Sequence, residues 1–128
     1  MGTSLLAPTS KGRTLRVCLP PFGVFAQTTM LHHCVYFWLK PELTAAQRAD
    51  FRRGVEALAG IKAVENVAVG APAATLRLPV IDASYDVALI VLCQDVAAQN
   101  AYQVDPIHLA FVEKYQACWT RVQIYDSE

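Results

Sequence analysis

Two segments of the sequence are apolar at nearly every position, and they constrain the fold more than any other feature. The segment 31–39 reads LHHCVYFWL, and the segment 85–93 reads YDVALIVLC. Both are rich in β-branched and aromatic residues, which favours strands, and successive side chains of a strand point to opposite faces. His33 therefore shares one face with Val35 and Phe37. A sheet built on such strands needs cover on both of its faces.

The first helix has a clear start and a clear end in the sequence. Thr44 and Gln47 fit a capping box, in which each side chain binds the backbone N–H of the other residue. The helix is expected to run to about residue 59, because Gly60 follows as a stop signal. Its apolar stripe includes Phe51 and Leu58, while the charged residues point to water.

Two further helices precede the last strand. Asp95 is expected to cap a short helix over 96–102, and Asp105 followed by Pro106 begins another over 106–117. Together with strands at 31–39, 64–69, 85–93 and 119–125, the order is β-α-β-β-α-β, the ferredoxin-like pattern. The predicted fold class is α+β, with one antiparallel sheet and its helices on a single face.

The second face of that sheet is predicted to be a homodimer interface. It carries large side chains such as Tyr36 and Trp38, and a patch of that kind is not left in water. The composition agrees, since 54% of the residues are hydrophobic and only 17% are charged, against roughly 25% charged in a typical domain. We therefore expect two copies joined sheet to sheet.

The formal net charge of zero conceals two unlike parts. Residues 1–29 contain three bases and no acid, whereas residues 30–128 contain eight bases and eleven acids. We interpret 1–29 as a disordered or non-native leader and 30–128 as the domain. A signal peptide is the alternative for the leader, but Pro20 and Pro21 interrupt its apolar stretch, which should be able to form a helix.

Several classes of partner are disfavoured. The balanced charge argues against nucleic acid, and no apolar run reaches the ~18 residues of a membrane span. His32 and His33 are adjacent on a strand and point to opposite faces, so they cannot chelate one ion, and no other metal-ligand spacing occurs. The four cysteines form no C-x-x-C pair, which is typical of reduced thiols in a cytoplasmic protein. The cysteines are Cys18, Cys34, Cys93 and Cys118.

Candidate chemistry centres on the histidines. His108 lies at the third position of its helix, where the helix dipole favours the neutral imidazole that acts as a base. His33 faces the layer of helices that carries His108. If the two histidines approach each other across that layer, they are expected to converge with Tyr102. The alternative is that each histidine satisfies a buried hydrogen bond. The aromatic residues near them fit either a pocket for a flat or acyl ligand or an ordinary core.

Four sequence blocks resemble the stress-responsive A/B barrel (Dabb) domain family. They are LHHCVYFWLK, YDVALI, YQVDPIHLAFVEK and WTRVQIYD, and the resemblance covers 30–126. The family implies a dimeric α+β barrel. Its members include a plant polyketide cyclase that performs an aldol condensation with a histidine and a tyrosine.

The resemblance to that cyclase implies roles for individual residues. It implies that His108 is the catalytic base and that Tyr102 is the catalytic tyrosine. It also implies a binding pocket formed by His33, Phe51, Phe111 and Trp119. Two positions depart from the cyclase, since Asp105 and Val87 stand where it has histidines.

Two hypotheses about function remain open at this point. The first is a homodimer of undetermined role, related to stress, with a small-molecule pocket between helices and sheet. The second is an enzyme of aldol or enolate chemistry, with His108 as the base and Tyr102 as the donor to the oxyanion. Whether the protein is an enzyme is left undecided. We expect no cofactor, because haem would have only His108 as an axial ligand, and the ligand class is a small aromatic or acyl compound.

Overall fold

The computed structural model describes residues 29–128, so the prediction for the leader lies outside the described residues apart from Thr29. Three helices and four strands follow one another in these residues. They are β1 (Leu31–Leu39), α1 (Ala45–Glu56), β2 (Val64–Gly70), β3 (Val87–Cys93), α2 (Val96–Val104), α3 (Pro106–Tyr115) and β4 (Trp119–Ser127). Short 3-10 turns follow α1 and α3, at Ala57–Gly60 and Gln116–Cys118.

The four strands form one antiparallel sheet in the order β2-β3-β1-β4. The central strand β1 pairs with β3 on one side and with β4 on the other. This register places His33 between Val91 of β3 and Asp126 of β4. Strand β4 is an edge strand. The predicted ferredoxin-like α+β fold is confirmed.

The predicted capping residues begin all three helices. The N–H of Gln47 donates to the Thr44 hydroxyl at 3.2 Å, and the N–H of Thr44 donates to the Gln47 amide oxygen at 2.8 Å. The Asp95 carboxylate accepts from the N–H of Ala98 at 2.8 Å. The Asp105 carboxylate accepts from the N–H of Ile107 at 2.8 Å, with Pro106 at the first helical position.

Several element ends differ from the sequence prediction by one to three residues, among them the end of α1 and the start of β3. Helix α1 ends at Glu56 and continues as a 3-10 turn to Gly60. Strand β3 begins at Val87 rather than at residue 85. The Asp86 carboxylate explains the late start, since it accepts from the backbone N–H of Leu39 at 2.7 Å and takes the place of a ladder hydrogen bond.

The core lies between the helices and one face of the sheet. Burial alternates along β1 as predicted, with residues 31, 33, 35, 37 and 39 buried. Phe51 and Val55 of α1 and Leu58 of the following 3-10 turn are buried against this face. Buried apolar residues contact one another throughout the layer, so this side of the sheet is an ordinary hydrophobic core except at His33 and Gln99.

The helix-free face of the sheet, which we call the open face, is more polar than the sequence suggested. Trp38 is half-buried, because the Arg121 guanidinium lies 4.1 Å from its ring centroid. The Trp38 indole N–H donates to the Ser84 hydroxyl at 3.0 Å. Tyr36 contacts Tyr85 and Tyr125 edge to face. The polar groups come from β4 and the β2–β3 connection, whose approach to β1 depends on the tertiary fold.

Among residues 29–128, no helix has both the length and the apolar character that crossing a bilayer requires.

Candidate functional site

A cavity of about 230 Å³ lies between the helices and the sheet. Its apolar walls come from β1, β3, β4, α3 and the 3-10 turn that follows α1. The polar groups on its wall are His33 from β1, Tyr102 and Gln103 from α2, and His108 from α3. The apolar lining residues are Val35, Phe37, Leu58, Leu89, Phe111, Val112, Trp119, Val122 and Ile124.

The cavity opens above the edge strand β4. Val122 and Ile124 pair with Phe37 and Val35 of β1, so their side chains point to the helical side of the sheet. Both line the cavity, yet they are 39% and 42% exposed. The helices therefore cover the centre of the sheet and leave β4 accessible, which gives a ligand an entrance.

Tyr102 lines the cavity, and its buried hydroxyl is unpaired among the described residues. The residue is fully buried, and its hydroxyl has no hydrogen-bond partner among the described residues. A buried donor without a partner is uncommon and costs free energy, so it calls for an explanation. Burial also raises the pKa of Tyr102 far above its ordinary value. The hydroxyl therefore keeps its proton and can donate a hydrogen bond to a ligand.

His108 lies directly beside Tyr102, with the two ring centroids 4.7 Å apart. Its Nδ1 is 3.0 Å from the backbone carbonyl oxygen of Gln103. A carbonyl only accepts, so Nδ1 carries the proton and Nε2 of the neutral ring has the free lone pair. Burial lowers the pKa of His108 below its ordinary value, against an opposing effect of the Gln103 carbonyl. The ring is therefore suited to act as a base.

His33 is held in place by a carboxylate. Its Nδ1 lies 2.5 Å from Asp126 Oδ1 and 3.0 Å from Gln99 Nε2. One ring nitrogen cannot both donate and accept, and the shorter contact to a charged group is the stronger one. Nδ1 therefore donates to Asp126, and Nε2 is the acceptor. Gln99 also accepts from the thiol of Cys93 at 3.5 Å.

The predicted site residues fall into two groups. His33, Tyr102, His108, Phe111 and Trp119 all line the one cavity. Phe51 does not, because it is fully buried behind the wall, with its ring centroid 5.2 Å from that of Phe37 and 6.0 Å from that of Phe111.

The sequence argument missed the residues that orient the histidines. The carbonyl of Gln103 orients His108, and the carboxylate of Asp126 orients His33. Asp105 caps α3, as its residue type and the following proline predict. The tyrosine-aspartate end of the last strand was the available signal for Asp126, but its pairing with His33 depends on strand register.

Within residues 29–128, no group of three or more His, Cys, Asp or Glu side chains could hold a metal ion. The polar groups of the cavity are suited to other chemistry. His108 can accept a proton, Tyr102 can donate a hydrogen bond, and apolar walls surround both groups. Such a site can bind a small, largely apolar molecule with one hydrogen-bond acceptor.

The fold and the cavity together define the class: an α+β protein of ferredoxin-like fold with a cavity between helices and sheet. The model of the stress responsive A/B barrel domain (Dabb) family matches residues 31–128. The chain belongs to this family. No protein of curated function shows significant sequence similarity to the chain.

Solved structures share the fold at low sequence identity. A dimeric ferredoxin-like protein of unknown function from Thermobifida fusca is 21% identical, with a TM-score of 0.64 over 82% of this chain and 95% of that one. A Dabb family protein from Mesorhizobium loti is 24% identical, with a TM-score of 0.63 over 78% and 96%. A hydroxynitrile lyase from Passiflora edulis is 16% identical, with a TM-score of 0.65 over 78% and 93%.

Proposed function

We propose that the protein binds a small, apolar carbonyl compound in the cavity and removes a proton from the carbon next to its carbonyl group. The observation that carries this proposal is the buried Tyr102 hydroxyl, which has no hydrogen-bond partner among the described residues and lies beside His108. A carbonyl oxygen in the cavity would accept from this hydroxyl and remove the cost of leaving it unpaired.

The dimensions of the cavity suit a compact ligand. An apolar cavity of about 150 Å³ is large enough to hold benzene, and this one measures about 230 Å³. An aromatic ring with a short acyl substituent therefore fits its volume. The aromatic walls formed by Phe111 and Trp119 suit a flat ligand of this type.

The chemical step uses two groups that are already positioned. Nε2 of neutral His108 takes the proton, the electrons of the broken C–H bond move towards the carbonyl, and an enolate forms. The Tyr102 hydroxyl donates to the enolate oxygen as negative charge develops there. His33, oriented by Asp126, provides a second imidazole on the same wall that can contact the ligand.

A neighbour of the same fold supports an enzymatic role. The Passiflora edulis protein is a hydroxynitrile lyase, so this architecture can support catalysis. At 16% identity the comparison says nothing about which substrate this chain takes. The second candidate is a Dabb protein, acting under stress, that binds a ligand in the same cavity without transforming it. The polar groups on the cavity wall favour the enzyme, because binding alone would not need an oriented base beside an unpaired donor.

We also propose that the protein is a homodimer joined through the open face. The Thermobifida fusca protein is described as dimeric, and the open face here still carries the side chains of Tyr36, Ile90 and Leu92 on β1 and β3, all half-buried.

Cys34, Cys93 and Cys118 are free thiols, which fits the proposed cytoplasmic location.

A matched pair of ligands tests the site. Acetophenone and ethylbenzene have similar size and shape, but only acetophenone has a carbonyl oxygen. We expect the wild type to bind acetophenone more tightly, by roughly tenfold for one hydrogen bond to a buried donor. The preference should disappear in Tyr102→Phe, which keeps the ring and removes the hydroxyl.

Binding is measured by ligand-observed NMR titration. Equal affinity of the wild type for the two compounds would contradict the assigned role of Tyr102. Binding of neither compound would contradict the proposed ligand class. Glu113→Gln, on an exposed part of α3 outside the cavity wall, is the matched control and should bind as the wild type does.

A further inference from the structure

The connection between β2 and β3 is long and unusually apolar on its surface. It runs from residue 71 to residue 86 without helix or strand, and loops of more than about 12–15 residues without secondary structure are uncommon unless they have a function. Leu76, Leu78 and Val80 are 79%, 50% and 88% exposed. Single exposed apolar residues are ordinary, but three in one short segment indicate a contact surface.

The tip of this connection has the wrong chemistry for a solvent-exposed turn. The N–H of Ile81 donates to the carbonyl of Leu78 at 3.0 Å, so residues 78–81 form a turn with Pro79 at its second position. Val80 therefore lies at the tip, where glycine, asparagine, aspartate and serine are the usual residues. A β-branched apolar side chain at that position stabilises nothing within the protomer.

The base of the connection is fixed to the open face. The Ser84 hydroxyl accepts from the Trp38 indole at 3.0 Å, and the Tyr85 ring centroid lies 5.0 Å from that of Tyr36. The Asp82 carboxylate accepts from both the N–H and the hydroxyl of Ser84, at 2.8 and 2.6 Å. The segment that carries the exposed apolar side chains is therefore anchored at its end on the surface that we propose as the dimer interface.

We propose that residues 71–84 form a dimerisation arm, with Leu76, Leu78 and Val80 packed on a second copy of this chain. The inference rests on the proposed homodimer. A second copy is the favoured partner because the arm starts on the open face and because a similar structure is described as dimeric. In a two-fold dimer the same contact is made twice, so an arm that packs on its partner contributes its area two times. Residues 71–84 contain a single base, Arg77, which does not favour an anionic lipid surface.

The test is the dimer dissociation constant, measured on the full chain by sedimentation equilibrium. The double variant Leu76→Ser with Val80→Ser removes two side chains that are exposed in the protomer, so its fold should persist. We expect its dissociation constant to rise by roughly tenfold or more, because apolar area that the dimer buries is lost. The matched control is Val96→Ser with Val104→Ser, which removes exposed apolar side chains from α2, and its dissociation constant should equal that of the wild type.

Two results would overturn the inference, and they differ from each other. A wild type that is monomeric at high micromolar concentration contradicts the homodimer and the arm together. A dimeric wild type whose double arm variant has an unchanged dissociation constant contradicts the arm alone and leaves the sheet-to-sheet dimer in place. Hydrogen exchange adds a second readout, since amides of residues 71–84 should lose protection when the wild type is diluted below its dissociation constant.

Discussion

His33 and Asp126 face each other across the β1–β4 pair, with Nδ1 of the imidazole 2.5 Å from Oδ1 of the carboxylate. The side chain of His33 is 3% exposed and that of Asp126 is 51% exposed. A half-exposed carboxylate on the edge strand thus orients a buried ring that lines the cavity. The edge strand contributes to the site through this contact as well as through its apolar wall.

Replacing Asp126 with alanine should destabilise the fold. The substitution leaves the Nδ1–H of buried His33 without its carboxylate acceptor, which costs about 1–3 kcal/mol. The free energy of unfolding in urea measures the loss. Ser127→Ala, at an exposed neighbouring position, is the control. Equal unfolding free energies for the two variants would show that the contact contributes nothing to stability.

Gly54→Ala should destabilise the protein although alanine is the better helix former. An added Cβ would overlap Cε2 of Tyr115, whose hydroxyl donates to Asp50 at 3.1 Å. The ring must move, and overpacking of this kind costs about 1–3 kcal/mol, more than the ~1 kcal/mol gained in helix propensity. Thermal unfolding checks the direction.

Gly60→Ala provides the comparison for that measurement. The nearest atom to a Cβ at Gly60 is Cδ1 of Ile107, at 4.0 Å, which is an ordinary contact. This variant should be as stable as the wild type or slightly more stable. If both glycine variants lose the same stability, the contact with Tyr115 is not the cause.

His108 should titrate below the ordinary histidine value of about 6.5, because burial lowers its pKa. A group with a lowered pKa in the folded state contributes stability that is fully present above its unfolded pKa, and that contribution is lost as the pH falls through the folded pKa. The wild type should therefore lose stability below about pH 6.5 relative to His108→Asn, which does not titrate. NMR titration of the ring proton gives the pKa directly, and a midpoint at or above 6.5 would contradict the inferred burial effect.

Tyr102→Phe should leave stability unchanged or raise it. The hydroxyl has no partner among residues 29–128, so its removal breaks no hydrogen bond within them and relieves a desolvation penalty of about 1–3 kcal/mol. A ligand-binding group that is unfavourable for folding would produce this result. The free energy of unfolding without ligand is the measurement. A loss of more than about 1 kcal/mol would indicate a structural role for the hydroxyl.

The fold was predictable because its signals are local. Alternation along 31–39 placed His33 on the helical side, and Thr44, Asp95 and Asp105 begin the three helices as their residue types predict. The Dabb family is likewise confirmed by the match over residues 31–128. These features depend on residues within a few positions of one another.

The site was predictable only in part, because its geometry is tertiary. Strand alternation placed His33, but its partner Asp126 follows from the β1–β4 register, and a slip of one residue would turn that carboxylate to the open face. The unpaired state of the Tyr102 hydroxyl depends on the packing of α2 against the sheet. The position of Phe51 behind the cavity wall depends on how α1 is rotated. The roles of His108 and Tyr102 in binding and catalysis stay predictions.

Exchange of α-hydrogens tests the central claim most directly. Acetophenone in D₂O is incubated with the wild type, and loss of its methyl proton signal is followed by NMR. General base catalysis contributes typically 10²–10⁴-fold, so the wild type should accelerate exchange well above the buffer rate. His108→Asn, folded as shown by circular dichroism, should return exchange to the buffer rate. A wild type that exchanges no faster than buffer, or a His108→Asn variant as fast as the wild type, would contradict the assignment of His108 as the base.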